Sequence, residues 1–170
     1  ESLCTFCGCN KRITKNHSVE NPYIEAVLKE WTLYCKLLGE KPIIKEIHLG
    51  GGTPTFFSTT NLEHLINGIF VHAKKAEEYE FSFEGHPNNT SHDHLQKLYD
   101  LGFKRVSFGV QDYSEKVQKA IHRLQPFHNV AKVSLWAKEI GYTYIGNDII
   151  FGLPFQEIED VIDPIEKTNS

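Results

Sequence analysis

The feature that most constrains the fold is a regular alternation of strand-like and helix-like segments. Apolar stretches typical of β-strands recur four times, with helical periodicity between them. The expected strands are Pro42–Leu49, Glu80–Glu84, Arg105–Gln111 and Tyr142–Phe151. Repeated strand–helix units predict a parallel sheet joined by right-handed crossovers. We therefore predict an α/β fold with about four parallel strands and helices outside them, forming an arc of a partial (β/α) barrel.

Capping residues predict where the intervening helices begin and end. Asn21 and Pro22 are suited to N-cap and N1 of a first helix, which Gly39 ends. Thr60 and Glu63 resemble a capping box for a helix reaching about Lys75. The remaining helices are expected before Gly102, from Ser114 through Leu124, over Phe127–Ile140 before Gly141, and from near Ile158.

Each expected strand ends in glycine or polar residues, namely Gly51, Glu84, Gln111 and Asp148. In parallel α/β folds the carboxyl ends of the strands are where ligands bind. Taken singly, Glu84 is equally typical of an exposed strand-end charge, and Asp148 of a helix or turn cap. Their shared placement favours a ligand site.

Composition excludes several classes of function. Of the 170 residues, 40% are hydrophobic and 24% charged, with a net charge of -4 and a pI near 6.1. This balance gives no reason to expect nucleic acid or a membrane surface as a partner. No run approaches the roughly 18 apolar residues that span a bilayer, so we expect a cytoplasmic protein. The chain starts at Glu1, contains no Met and ends within a helical pattern, which predicts a piece of a longer protein.

Three of the four cysteines fall within Cys4-Thr5-Phe6-Cys7-Gly8-Cys9. Clustered thiols indicate metal or redox chemistry rather than a disulfide framework, which would connect distant loops. The pattern is half of a zinc site, but only His17 follows nearby, whereas an iron–sulfur cluster also uses closely spaced thiolates. Cys35 lies in a helical pattern, and we expect a small buried apolar residue there.

Gly50-Gly51-Gly52-Thr53-Pro54 follows the first strand. No Gly-Lys-Ser/Thr follows at P-loop spacing, and the run is not G-x-G-x-x-G. Three glycines at a strand end allow a ligand to approach the backbone closely, and exposed carbonyls there accept hydrogen bonds from an ammonium group. A simple turn is the alternative. His48, just before the glycines, is expected to be a packed core histidine.

These motifs together resemble one family. C-x2-C-x-C-N, G-G-G-T-P, G-V-Q-D and D-x-I-x-G-L-P occur in this order across essentially the whole chain. The set is similar to the radical SAM (S-adenosylmethionine) enzymes and, within them, to the oxygen-independent coproporphyrinogen III oxidases, which Cys7-Gly8-Cys9-Asn10 favours. The resemblance implies that residues 1–170 are a radical SAM core domain lacking the first strand and the C-terminal part.

The resemblance also implies two cofactors, a 4Fe–4S cluster and SAM. Cys4 and Cys7 match two cluster ligands of the family's C-x3-C-x2-C motif, whose first cysteine would precede Glu1. The sequence as it stands is therefore expected not to hold a stable cluster and to be inactive alone. Cys9 is implied to be a second-sphere catalytic residue.

For SAM, the resemblance implies a set of contacts spread over the strand ends. The residues implied are Gly51, Gly52 and Thr53 at the methionine end, Arg123 at the carboxylate, Asp148 at the ribose, Phe6 at the adenine, and Glu84 and Gln111 without assigned contacts. The planar fork of an arginine suits a carboxylate. A surface ion pair is the alternative for Arg123, and a solvated basic loop is preferred over substrate binding for Lys11, Arg12 and Lys15.

The implied activity is conversion of two propionates of coproporphyrinogen III into the vinyl groups of protoporphyrinogen IX, within haem biosynthesis. The propionate hydrogen is too weakly acidic for a protein base, and a deoxyadenosyl radical formed from SAM would remove it. A reductant protein such as a flavodoxin or ferredoxin is the implied partner. Two alternatives remain open: a radical SAM haem chaperone, whose members generally lack a cysteine at the position of Cys9, and a zinc-dependent structural module.

Overall fold

The computed structural model describes residues 3–9 and 13–169. Its sheet has the four strands β1 (Ile43–Leu49), β2 (Lys74–Gly85), β3 (Phe103–Gln111) and β4 (Tyr144–Ile149). The strands lie in chain order, and every neighbouring pair is parallel. The prediction of a parallel α/β sheet in sequential order is confirmed.

Helices connect the strands and cover one face of the sheet. They are α1 (Glu20–Leu38), α2 (Thr59–Val71), α3 (His92–Asp100), α4 (Glu115–Ala120), α5 (Phe127–Ile140) and α6 (Ile158–Asn169), with short 3-10 helices at His17–Val19 and Pro54–Phe56. The bounds expected for α5 and the start expected for α6 are confirmed. Gly39 and Gly141 end α1 and α5 in left-handed conformations, as predicted.

The cap prediction for α1 is wrong, because the helix begins at Glu20 and Asn21 lies inside its first turn. The buried Glu20 carboxylate fixes this start by accepting hydrogen bonds from the His17 ring (2.5 Å), the Ser58 backbone N–H (2.8 Å) and the Asn61 side chain (2.6 Å). A 3-10 helix before Glu20 then runs straight into α1.

The capping box at Thr60 is also wrong. Ser58 is the N-cap of α2, with an extended backbone and a side chain that accepts from the Asn61 N–H. The helix ends at Val71 rather than near Lys75, because Lys74 and Lys75 pair with Ile43 and Ile44 as the start of β2. Likewise α4 ends at Ala120 rather than Leu124, and its N-cap Ser114 makes no side-chain cap.

The core lies between the sheet and the helices. Its largest side chains are Phe81, Phe83, Phe103 and Phe108, all fully buried, with Leu95, Leu98 and Val133 packed from the helices. Phe81 and Phe83 alternate along β2 with Ser82 and Glu84, which therefore point to the opposite face. Cys35 is half-buried on α1, so it is less enclosed than predicted. Within the described ranges no helix combines the length and apolarity needed to cross a membrane.

Candidate active site at the carboxyl edge of the sheet

The open face of the sheet is polar, and its polar residues converge at the carboxyl ends of the strands. The register places Glu84 beside Ser107, Ser107 beside Gly146, and Gly109 beside Asp148. Because side chains two residues apart share a face, Glu84, Ser107 and Asp148 project to the same side. The Ser107 hydroxyl donates to Asp148 Oδ1 at 2.7 Å, so Asp148 is bonded across the strands rather than serving as a helix cap.

The glycine loop, which consists of Gly50, Gly51 and Gly52, follows β1 and lies at this edge of the sheet. Gly51 and Gly52 have left-handed φ values of 67° and 49°, and nothing lies within 4 Å of the place where either would carry a Cβ. The Gly51 N–H donates to Glu84 Oε2 at 3.2 Å, which connects the loop to β2. Thr53 is the N-cap of the following 3-10 helix. The loop thus presents open backbone beside a carboxylate.

His48 is not the packed core residue expected from its position in β1. Its side chain is 56% exposed on the open face. The ring is bonded to Ser82 Oγ through Nδ1 at 2.9 Å and to Glu84 Oε1 through Nε2 at 3.4 Å. The expectation fails because the strand alternates, and His48 has the parity of the polar face.

The cysteine loop, residues 4–9, is hydrogen-bonded to the end of α4, about 115 residues away in sequence. The Thr5 N–H donates to the Ile121 carbonyl at 3.1 Å, and the Thr5 hydroxyl donates to the Ala120 carbonyl at 3.3 Å. Phe6 packs on a small apolar cluster of Val117, Ile121 and Leu153. Helix α4 therefore positions the loop.

Within the loop, Cys4 and Cys7 are half-buried, Cys9 is exposed, and none of the four cysteines forms a disulfide. The Cys7 N–H donates to the Cys4 carbonyl at 3.2 Å. Lys11 and Arg12 lie outside the described residues, and Lys15 is exposed.

Arg123 connects the cysteine loop to the strand ends. Its Nη2 donates to the Gly109 carbonyl at 2.5 Å and its Nη1 donates to Cys4 Sγ at 3.7 Å. Its Nε is buried and has no hydrogen-bond partner. These donors go to a carbonyl and a thiol, which does not fit the alternative of a surface ion pair. A half-buried guanidinium with a spare donor suits an anionic ligand.

Gln111 lies beside Arg123 in a left-handed conformation, with φ of 69°. A Cβ at Gly109 would lie 2.6 Å from Gln111 Nε2 and 2.9 Å from Arg123 Nη2. The absence of a side chain at Gly109 therefore lets both side chains reach the end of β3. The structure brings Gln111, Arg123 and Cys4 to one place.

Sequence reasoning missed a buried network of amides beneath this edge. Gln118 Nε2 donates to the carbonyls of Asp112 (2.8 Å) and Gln125 (2.9 Å), and Gln118 Oε1 accepts from the Gln125 N–H (2.8 Å). Gln125 Nε2 in turn donates to the Gly109 carbonyl that Arg123 also contacts. The available signal was Gln118 itself, a polar residue on the same helical face as Val117 and Ile121.

A second part of this network fixes the loop after β4. The fully buried Asp112 accepts from the Ser114 N–H at 2.6 Å and from Gln156 Nε2 at 2.7 Å. Gln156 Oε1 accepts from the N–H groups of Gly152 and Leu153. The ends of β3 and β4 are thus tied together by side chains that bond mainly to backbone.

His86, which follows β2, was also missed. Burial, followed by the positive charge of Arg123, lowers the pKa of His86 to about 4, so the ring is neutral near pH 7. Its Nδ1 accepts from the Asn88 N–H at 3.2 Å, which places the ring proton on Nε2. A neutral N–H donor therefore lies near Arg123.

The residues present fit the two cofactors implied by the motifs. Among the described residues no group of three His, Cys, Asp or Glu side chains could hold a metal ion by itself, so Cys4 and Cys7 would need a further ligand to hold a cluster. Cys4 Sγ lies 3.7 Å from Arg123 Nη1, and cysteine sulfurs are the side-chain ligands that iron–sulfur clusters use. His17, the nearest candidate for a further zinc ligand, instead bonds to Glu20 and stacks on Phe56.

The fold and the site define an α/β protein in which the cysteine loop lies beside the carboxyl ends of a parallel sheet. The sequence model of the radical SAM superfamily matches residues 2–167, and the chain belongs to that superfamily. Members use a 4Fe–4S cluster and SAM.

Curated relatives of similar sequence include oxygen-independent coproporphyrinogen III oxidases. The chain is 35% identical to oxygen-independent coproporphyrinogen III oxidase from Synechocystis sp. over 165 residues, and 38% identical to that from Helicobacter pylori over 166 residues. These matches cover 97% of this chain but 35% and 36% of the relatives. The chain thus spans about a third of the length of the curated relatives it matches.

Solved structures agree with the fold. Coproporphyrinogen III oxidase from Escherichia coli, a radical SAM enzyme, superposes with a TM-score of 0.92 at 31% identity, covering 98% of this chain and 38% of that one. A radical SAM methyltransferase from Kitasatospora setae has a TM-score of 0.61 at 11% identity over 86% of this chain and 29% of that one, which supports the fold alone.

Proposed function

We propose that the full-length protein containing this domain is an oxygen-independent coproporphyrinogen III oxidase. It would convert two propionates of coproporphyrinogen III into the vinyl groups of protoporphyrinogen IX, with loss of carbon dioxide from each. One observation carries the proposal: the Cys4–Cys7 loop docks beside Arg123 at an edge lined by Gly51, Glu84 and Asp148. The names of the similar proteins support the substrate.

In this proposal the residues at the strand ends bind SAM. Arg123, with its spare Nε, receives the methionine carboxylate. The open backbone of Gly51 and Gly52, with Thr53, lines the methionine end, and Asp148 receives the ribose hydroxyls. Gln111 and Glu84 complete the polar edge, and Phe6 contributes an apolar surface for the adenine.

The cofactors supply a carbon radical able to remove the unactivated propionate hydrogen. The chain's own residues bind and orient SAM and exclude water from the site. Arg123 Nη2 and Gln125 Nε2 donate to the same Gly109 carbonyl, so the guanidinium is already positioned at the strand end for the carboxylate. Cys4 and Cys7 would hold the cluster through their sulfur atoms.

The proposed chemistry needs an external reductant that supplies the electron for SAM cleavage, and we propose a flavodoxin or a ferredoxin. It also needs an electron acceptor, because each substrate radical releases one electron when it loses carbon dioxide to form the vinyl group. A reducing compartment is needed to keep the clustered thiols available, so we propose that the protein acts in the cytoplasm.

The test is an anaerobic assay of the full-length protein with SAM, a reductant and coproporphyrinogen III. We expect deoxyadenosine and protoporphyrinogen IX to form together. Deoxyadenosine without protoporphyrinogen IX would exclude this substrate. Haem binding without any decarboxylation would instead favour the haem chaperone.

Cys9 provides a second test, because the cluster needs one iron free for SAM. Cys9 is exposed while Cys4 and Cys7 are half-buried, which supports a role outside the cluster. We expect Cys9→Ser in the full-length protein to keep close to the wild-type iron content and to lose turnover. Cys4→Ser and Cys7→Ser should lose the iron. Equal iron loss in all three variants would make the assignment of Cys9 wrong.

A further inference from the structure

The open face of the sheet carries a chain of three bonded side chains, His48, Ser82 and Glu84. His48 and Ser82 are register partners on β1 and β2, and the His48 ring lies between Ser82 Oγ at 2.9 Å and Glu84 Oε1 at 3.4 Å. The second oxygen of Glu84 accepts from the Gly51 N–H at 3.2 Å. Both carboxylate oxygens of Glu84 therefore contact groups on β1 or in the glycine loop that follows it.

The chemistry of these groups fixes the direction of the hydrogen bonds. An ionised carboxylate only accepts, so His48 Nε2 carries a proton and donates to Glu84. In the neutral ring Nδ1 then accepts from the Ser82 hydroxyl. The arrangement keeps Glu84 as an acceptor beside the glycine loop, and its side chain remains 49% exposed on the open face.

The first glycine of the loop is explained by this contact and not by its backbone. Gly51 and Gly52 have left-handed φ values, whereas Gly50 does not. A Cβ at Gly50 would lie 2.7 Å from His48 Nε2 and 3.2 Å from Glu84 Oε1. Alanine would suit the backbone there, but it would push the His48 ring away from Glu84.

We propose that His48 is a positioning residue that holds the Glu84 carboxylate for SAM, and that Gly50 keeps open the space in which the two side chains meet. The inference rests on the proposed SAM site at the strand ends. His48 acts through Glu84 and does not itself contact SAM.

The experiment measures SAM affinity on the cluster-loaded full-length protein under anaerobic conditions, by equilibrium binding without reductant. We expect Glu84→Ala to weaken SAM binding tenfold or more and His48→Ala to weaken it about threefold to tenfold. His48→Ala should add nothing in a Glu84→Ala background. His48→Gln, which keeps a donor of similar reach, should recover part of the affinity, a result that a purely structural role would not give.

A matched control comes from a second exposed His–Glu pair. His64 Nε2 lies 2.7 Å from Glu25 Oε1 and joins α2 to α1. His64→Ala should leave SAM affinity unchanged. Iron content and the unfolding midpoint should be the same in all variants.

Gly50→Ala tests the steric part of the inference. We expect it to weaken SAM binding about as much as His48→Ala does, and to have almost no further effect when His48 is already alanine. An equal loss in both backgrounds would mean that Gly50 serves something other than the His48–Glu84 contact, and would overturn this part.

The two proposals fail in different ways. A loss in Glu84→Ala with no loss in His48→Ala overturns the inference and leaves the proposed SAM site standing. Unchanged affinity in Glu84→Ala removes Glu84 from the site and overturns the inference with it.

Discussion

Two polar networks meet at the same edge of this sheet, and they are built differently. The buried network beneath the edge consists of Asp112, Gln118, Gln125 and Gln156, and the open network on the face consists of His48, Ser82, Glu84, Ser107 and Asp148. In the buried network most side-chain bonds go to backbone groups, such as those from Gln118 to the Asp112 and Gln125 carbonyls. In the open network most bonds join side chains, as between Ser107 and Asp148.

The difference separates a structural role from a binding role. A buried polar group left without a partner costs about 1–3 kcal/mol, so the buried network holds the ends of β3 and β4 in one arrangement. Exposed polar contacts compete with water and contribute little to folding. The open network therefore contributes little to the stability of the fold. This favours a role for its polar groups in ligand binding.

The sharpest test of the comparison is Gln118→Leu. The substitution keeps the volume but leaves the buried Gln125 N–H without its acceptor and removes the donor to two buried carbonyls. We expect the free energy of unfolding to fall by about 3–5 kcal/mol. Chemical denaturation of the full-length protein would measure it.

The matched control is Gln96→Leu, which removes an exposed glutamine bonded to Asp100 on α3. Its effect should stay within about 0.5 kcal/mol. If the two substitutions lowered the free energy of unfolding equally, the burial of Gln118 would not make its hydrogen bonds more important for stability than exposed ones.

The pH dependence of stability tests His86, which lies near Arg123. Its pKa falls from an ordinary value of 6.5 to about 4 on folding, so between these values the unfolded state binds more protons. Above pH 6.5 the protonation of His86 therefore takes nothing from the free energy of unfolding. As the pH falls toward 4, the free energy of unfolding decreases by about 3 kcal/mol because of this group.

The comparison is between the wild type and His86→Asn in protein prepared without iron. Asparagine keeps an acceptor for the Asn88 N–H but does not titrate. We expect the difference in unfolding free energy between the two proteins to change across pH 6.5 to 4. A constant difference would show that His86 is not a buried neutral base.

The sequence predicted the strands and the polar strand ends because their signals are local. Alternation in β3 and the glycines after α1 and α5 depend on nearby residues only. The start of α1 was missed because Glu20 is fixed by Ser58 and Asn61, which lie far away in sequence. The role of His48 was missed for the same reason, since its partners Ser82 and Glu84 belong to another strand.

Asp148→Ala should separate binding from stability in the open network. Losing a hydrogen bond to a charged group typically costs about 1.5–3 kcal/mol, so we expect SAM to bind roughly tenfold more weakly or worse. The unfolding free energy should change by no more than about 0.5 kcal/mol, because Asp148 is exposed. Glu30→Ala, at an exposed carboxylate on α1, is the control. Unchanged SAM affinity in Asp148→Ala would remove Asp148 from the site.

The smallest expected effect is that of Ser107→Ala, which asks whether the open network acts as one unit. The Ser107 hydroxyl lies over Gly146, 3.0 Å from where a Cβ would be, and donates to Asp148 Oδ1. Its removal frees the Asp148 carboxylate to rotate, and a bond of this kind is worth about 1 kcal/mol, so we expect SAM affinity to fall about threefold to fivefold. In an Asp148→Ala background the same substitution should have almost no effect, because the group it orients is gone. A loss of equal size in both backgrounds would mean that Ser107 contacts the ligand directly, and the two residues would then be independent parts of the site.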